Sequence, residues 1–81
     1  MKVVIYGKPN CPWCVKAKDL AVAEGHEYTY IDIKAAGIDG AKLSEICGEP
    51  VSTVPQIFVD DKFIKGGFTG FNEHVEKAKA E

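Results

Sequence analysis

The sequence predicts an α/β fold of order β-α-β-α-β-β-α, with a four-stranded mixed sheet flanked by helices. Three observations predict it. Short apolar runs alternate with stretches of helical periodicity, glycine and proline punctuate almost every boundary between them, and the first thirty or so residues make a βαβ unit. A crossover of that kind sets its two strands parallel, whereas the later pair of runs, joined across the Asp60-Asp61 turn, must be antiparallel.

Each element has a local reason. Lys2 to Tyr6 is a short apolar strand, broken by the loop Gly7 to Asn10. From Pro12 to Glu24, Ala17, Leu20 and Ala21 recur at helical spacing, and Gly25 stops the helix. Glu27 to Ile33 (EYTYIDI) mixes β-branched and aromatic residues, which favours a strand. After Gly37 and Gly40, the segment Ala41 to Cys47 puts Leu43, Ile46 and Cys47 on one side of a short helix ended by Gly48 and Pro50. Gln56 to Val59 and Phe63-Ile64 form a hairpin across Asp60-Asp61. Phe71, Val75 and Ala78 mark a last helix, with Thr69 as its expected N-cap.

Size and composition exclude several functions. Eighty-one residues make one domain, 1–81, with a single small core. With 46% hydrophobic and 27% charged residues and a net charge of −2, the chain is not a disordered one. All ten basic residues are lysines scattered among twelve acids, so there is no basic stripe and no nucleic-acid partner is expected. The apolar run near the N-terminus is too short for a signal sequence or a membrane span, so the expected location is the cytoplasm, with no membrane partner.

The chemistry lies in Gly7 to Lys18, GKPNCPWCVKAK. Its CxxC stands where a strand ends and a helix begins. Pro12 then occupies the first helical position, where a missing N–H costs nothing, and Cys11 lies at or beside the cap. Unpaired N–H groups and the positive end of the helix dipole favour an anion there, so Cys11 is expected to hold a thiolate below the free-thiol pKa of about 8.5. Cys14 lies one turn deeper on the same face, suited to attack a mixed disulfide on Cys11. Other readings of the pair fit worse. A structural zinc site needs four ligands, and Cys47, His26 and His74 show no zinc spacing, so no metal is expected. A four-residue disulfide ring constrains the unfolded chain little and is reduced in the cytosol. Redox exchange remains, and a CxxC beside a βαβ pattern signals a thioredoxin-like site.

The stretches VVIYGKPNCPWCVKAKDLA, YIDIKAAGI and STVPQIFVDDKFIKGGFTGF resemble a glutaredoxin across nearly the whole chain. The likeness is greatest to the small dithiol class of bacteria and phages, where CPYC stands in place of CPWC. This resemblance implies a thioredoxin fold and a glutathione-dependent thiol-disulfide oxidoreductase, with Cys11 as nucleophile, Cys14 as resolving thiol and glutathione as reductant. It implies a cis proline in Thr53-Val54-Pro55, with the Val54 backbone pairing glutathione as a strand edge would. Gly66-Gly67 would let the ligand approach, and Thr69-Gly70 would present helix N–H groups to its γ-glutamyl carboxylate. Lys8 would meet its other carboxylate. The implied partners are glutathione and disulfide or glutathionylated proteins, among which a ribonucleotide reductase is one candidate, acting on a monomer. Two rivals accompany this reading: a redoxin served by thioredoxin reductase, and a carrier of a glutathione-ligated iron-sulfur cluster, which Pro12 disfavours.

Two departures stand out against that pattern. Relatives usually carry aspartate where this chain has Gly70, so a side-chain acceptor for the glutathione ammonium is missing, and an aspartate restored there is expected to suit the helix dipole. The hairpin also holds one residue more, ending in Lys65, read as a solvated edge lysine. Trp13 is expected to stack over the bound peptide. Phe68 flanks the ligand or staples the last helix. Cys47 is read as a packed thiol, His26 and His74 as surface residues, and Lys16 and Lys18 as the wet face of the first helix.

Overall fold

The computed structural model describes residues 2–80. Seven elements follow in order: β1 (Lys2–Gly7), α1 (Pro12–Ala23), β2 (Glu27–Asp32), α2 (Gly40–Cys47), β3 (Gln56–Val59), β4 (Lys62–Ile64) and α3 (Gly67–Ala80). The strands form one sheet of order β2-β1-β3-β4. β1 runs parallel to β2, with Lys2 opposite Glu27 and Gly7 opposite Asp32, and antiparallel to β3, with Ile5 opposite Ile57. β3 and β4 close the antiparallel hairpin, and Asp60 and Asp61 both take positive φ (49° and 67°), as a two-residue turn matched to the strand twist requires.

Side-chain alternation then decides what lies under the helices. Val3, Ile5, Ile57 and Val59 are buried on one face and pack with Ala17 and Ala21 of α1 and with Phe71 and Val75 of α3. Each of the larger buried side chains contributes about 1.5–3 kcal/mol. On the other face Phe58 stacks edge-on against Tyr6 at 5.8 Å and lies 5.5 Å from Phe63. The small residues Ala17 and Ala21 let α1 approach the sheet closely, which fixes the height at which its N-terminus emerges beside β1.

Helix α1 ends where expected, on Gly25 at φ 71°, whose N–H meets the Val22 carbonyl at 3.0 Å. The remaining boundaries differ from the sequence reading by small amounts, each with a cause. β2 stops at Asp32 rather than Ile33, because the Asp32 carboxylate accepts the N–H groups of Lys34 (2.9 Å) and Ala35 (3.3 Å) and turns the chain. α2 starts at Gly40, one residue early, because Asp39 caps it by accepting the Lys42 N–H at 2.8 Å. Within α2 Leu43 and Cys47 are buried, but Ile46 is only half-buried; in α3 Ala78 is exposed, since the helix has run past the sheet.

Thr69 is not the N-cap of α3. The helix begins two residues earlier, and its first backbone bond runs from the Gly70 N–H to the Gly66 carbonyl at 3.2 Å. Gly66 (φ 94°) and Gly67 (φ 58°) make the sharp entry, and a side chain on Gly67 would crowd the Pro55 carbonyl at 3.1 Å. Gly70 is glycine for a different reason. A Cβ there would land on the carbonyl oxygen of Lys65, the extra residue of the hairpin, so the two departures from the family pattern form one structural unit. The expectation that an aspartate at this position would suit the fold is therefore corrected. Gly70→Ala and Gly70→Asp should each lower stability by about 1–3 kcal/mol through overpacking. Thermal unfolding checks this, with a fall in Tm of about 4–8 °C expected for each kcal/mol; an unchanged Tm in either variant contradicts the proposed clash.

Candidate functional site

The cysteine pair owes its position to β1 and α1. Asn10 takes φ 61° in the turn after β1, and Cys11 follows in extended conformation (φ −109°, ψ 101°), capping the helix that Pro12 opens. Its sulfur accepts the Cys14 N–H at 3.2 Å, and its carbonyl accepts the Val15 N–H at 3.1 Å. Cys11 and Cys14 are joined as a disulfide, their Cα atoms 5.2 Å apart. Exposure separates them: Cys14 is 0% exposed and Cys11 8%, so only Cys11 meets the surface. The preceding loop is held by Tyr30, whose hydroxyl donates to the Lys8 carbonyl at 3.3 Å. Burial first, and the Asp32 carboxylate second, push the Tyr30 pKa up, so this donor keeps its proton.

Opposite the pair runs the segment between α2 and β3. Its Val54-Pro55 bond is cis, and the Val54 carbonyl oxygen lies 3.9 Å from Cys11 Sγ. Two side chains fix this segment. Ser44 of α2 accepts the Val51 N–H at 3.0 Å and donates onward to carbonyl groups, while the buried Gln56 amide donates to the Thr53 carbonyl at 2.7 Å. Neither the N–H nor the C=O of Val54 is taken up by another backbone group among the described residues.

Beyond Val54 opens a groove of about 440 Å³, bounded by Trp13 on one side, residues 49–56 along its length, and Gly66 to Thr69 at its far end. The first turn of α3 leaves the N–H groups of Gly67, Phe68 and Thr69 without helical partners, and they make that end electropositive. Trp13 lies 5.7 Å from Phe68, and the Lys16 ammonium sits 4.3 Å above the Trp13 ring. Lys16 is therefore more than the wet face of α1. Phe68 packs against the core and also lines the groove.

The structure thus brings Cys11, Trp13, Thr53, Val54, Pro55, Gly67, Phe68 and Thr69 to one place, and it sets two expected residues apart. The Gly70 N–H is already bonded to Gly66, so it is not a free donor. Lys8 lies on the far side of the Thr53-Val54 segment, lining a separate recess of about 180 Å³ with Ile33 and Leu43. Sequence reasoning missed Glu49, Ser52, Gln56 and Phe63 on the groove; nearness to Thr53-Val54-Pro55 in the chain was the one available signal for the first three, and Phe63, on β4, had none. The third cysteine, Cys47, is buried in α2, and burial first and the Glu49 charge second push its thiol pKa up, the opposite of a thiol readied for exchange. Among the described residues no group of three or more His, Cys, Asp or Glu side chains is placed to hold a metal ion, and no helix is long and apolar enough to cross a membrane.

Comparison with known proteins agrees with this geometry. The glutaredoxin family model matches residues 3–64. Glutaredoxin 1 of Escherichia coli (strain K12) is 48% identical over 82 residues, covering 95% of each chain. Glutaredoxin 1 of Salmonella typhimurium is 54% identical over 76 residues, covering 88% of this chain and 86% of its own. The structure of reduced Escherichia coli glutaredoxin superposes with a TM-score of 0.85 at 44% identity, over 100% of both chains. A buckwheat glutaredoxin-glutathione complex superposes with a TM-score of 0.76 at 28% identity, covering 95% of this chain and 70% of that one. On these likenesses and on its adjacent cysteine pair, the chain belongs to the glutaredoxin family of thiol-disulfide oxidoreductases.

Proposed function

We propose that the protein reduces protein disulfides and glutathione mixed disulfides with glutathione as its electron donor. One observation carries the reading: the sulfur of the redox pair that meets the surface, Cys11, lies 3.9 Å from the Val54 carbonyl, whose backbone has no other backbone partner among the described residues, at the mouth of a groove that ends in free helix N–H groups. A γ-glutamyl-cysteinyl-glycine tripeptide fits that order of groups. Its cysteinyl backbone pairs with Val54 as an added strand, its sulfur meets Cys11, and its γ-glutamyl carboxylate is received by the N–H groups of Gly67, Phe68 and Thr69. The groove volume also falls within the range of about 300–1,000 Å³ usual for small ligands. Trp13 and Phe68 cover the peptide, and Thr53 and Pro55 shape the backbone that holds it. The Lys8 recess shares Val51 to Val54 with the groove, so a glycyl carboxylate that extends past Val54 would meet the Lys8 ammonium there.

The steps balance as thiol-disulfide exchange. The Cys11 thiolate attacks the glutathionyl sulfur of a mixed disulfide, forming a Cys11-glutathione bond as the bond to the substrate sulfur breaks, and the substrate leaves as a thiolate that takes a proton. The thiolate of a second glutathione attacks this intermediate, releasing glutathione disulfide and restoring Cys11. With a protein disulfide the first product is instead a Cys11-substrate disulfide. Cys14 attacks Cys11, the substrate leaves with both its sulfurs reduced, and two glutathione molecules reduce the Cys11-Cys14 disulfide.

Two outcomes follow. Cys14→Ser should keep deglutathionylation, measured on a glutathionylated peptide with glutathione, reductase and NADPH, while reduction of a protein disulfide falls at least tenfold; Cys11→Ser should abolish both. Equal loss of both activities in the two variants contradicts the assigned roles. With the unaltered protein, glutathione plus glutathione reductase should sustain turnover and thioredoxin reductase should not; the reverse preference overturns glutathione dependence.

A further inference from the structure

Among the described residues Glu49 is the only ionisable side chain on the wall of the groove. It stands three residues before Ser52, on the segment that Ser44 and Gln56 pin in place, and its side chain is 37% exposed. Lys65 Nζ lies 3.2 Å from one carboxylate oxygen, Oε2, which ties the carboxylate to the residue preceding Gly66 and Gly67 of the groove wall. The second oxygen, Oε1, accepts no hydrogen bond among the described residues. A carboxylate has about four lone-pair sites, so one exposed lysine leaves acceptor capacity to spare. That lysine is itself 77% exposed, and an ion pair of this kind is worth only about 0–1 kcal/mol, too little to resist a competing ammonium.

The far end of the groove therefore offers two opposite polarities: backbone N–H donors from Gly67 to Thr69, and one carboxylate. An α-amino acid head bears the matching pair, a carboxylate and an ammonium on one carbon. The start of α3 supplies no carboxylate, because the Lys65 carbonyl closes the space above Gly70 and excludes a side chain there; its one polar side chain in the groove is the neutral Thr69 hydroxyl. We propose that Glu49 is the specificity-determining residue that accepts the ligand's α-ammonium, so that the groove selects sulfur-bearing ligands ending in an α-amino acid head. This rests on the glutathione reading above and deepens it, by giving the ammonium a partner that the start of α3 does not supply.

The test uses one peptide carried as a mixed disulfide with glutathione and, separately, with its des-amino analogue, in which a glutaryl group replaces γ-glutamyl and only the ammonium is lost. Glutathione remains the reductant in both assays. The unaltered protein should show a KM about tenfold lower for the glutathione adduct, as a charge-assisted hydrogen bond predicts. Glu49→Gln, nearly isosteric, should raise that KM about tenfold, leave the KM of the des-amino adduct where it was, and so erase the preference. Equal KM values for the two adducts on the unaltered protein overturn the proposal. So does a Glu49→Gln variant that keeps the preference, or one that raises both KM values by the same factor, which would mark a structural effect. Failure of the unaltered protein to turn over with glutathione at all would instead remove the glutathione reading, and this proposal with it, so the two failures are told apart by the unaltered enzyme alone.

Discussion

The side chain that caps helix α1 is also the sulfur of the redox pair that meets the surface, and the rest of the molecule holds it in that double position. The Cys11 sulfur accepts the Cys14 N–H at 3.2 Å, as a serine or aspartate cap would, but sulfur can also be attacked, transferred and regenerated. Two effects act on its charge in opposite directions. Near-complete burial disfavours the thiolate, whereas the helix dipole (about 0.3–1 kcal/mol, up to about 2 in partly buried sites) and a hydrogen bond to the charged form (about 1.5–3 kcal/mol) favour it. Cys11 keeps an opening to solvent, so in the reduced protein the favourable pair is expected to prevail. Cys47 shows the opposite balance, buried in α2 with no helix N-terminus behind it and a carboxylate nearby, and its thiol is pushed up.

That cap stays in register with the Val54 segment and the groove beyond it because three separate parts of the fold hold still. The core beneath α1, from Val3 and Ile5 to Phe71, sets the height of the helix on the sheet. Ser44 and Gln56 fix the segment that carries Val54. Gly67 allows α3 to start against the Pro55 carbonyl, which brings the unpaired N–H groups of its first turn to the end of the same groove. A shift in any of the three would move the Cys11 sulfur away from the Val54 carbonyl, 3.9 Å from it.

Element order, the parallel and antiparallel pairings, the hairpin turn and the capping role of Cys11 could all be read from the sequence, because each depends on near neighbours: Pro12 after Cys11, Asp60 beside Asp61, alternation in Val3 and Ile5. The features that could not be read depend on contacts between distant residues. Thr69 looks like a cap by residue type, but the start of α3 is set by the backbone of Gly66, which accepts the Gly70 N–H. Gly70 reads as a lost aspartate until the Lys65 carbonyl is seen above it. Ala78 keeps helical spacing yet lies beyond the sheet, and Lys8 precedes the cysteines in sequence while facing a different recess. Glu49 carries no motif at all, and only the closing of residues 49–56 over the groove gives it a place.

The central claim is that the α1 N-terminus holds Cys11 as a thiolate at neutral pH despite its burial. The most direct measurement is the rate of iodoacetamide alkylation of the reduced protein from pH 4 to pH 10, with Cys11, Cys14 and Cys47 resolved by peptide mass spectrometry. The account predicts a Cys11 midpoint at least one unit below the free-thiol value of about 8.5, with Cys11 modified well before Cys47. A Cys11 midpoint at or above that value would contradict it, because burial would then outweigh the helix and the capping bond.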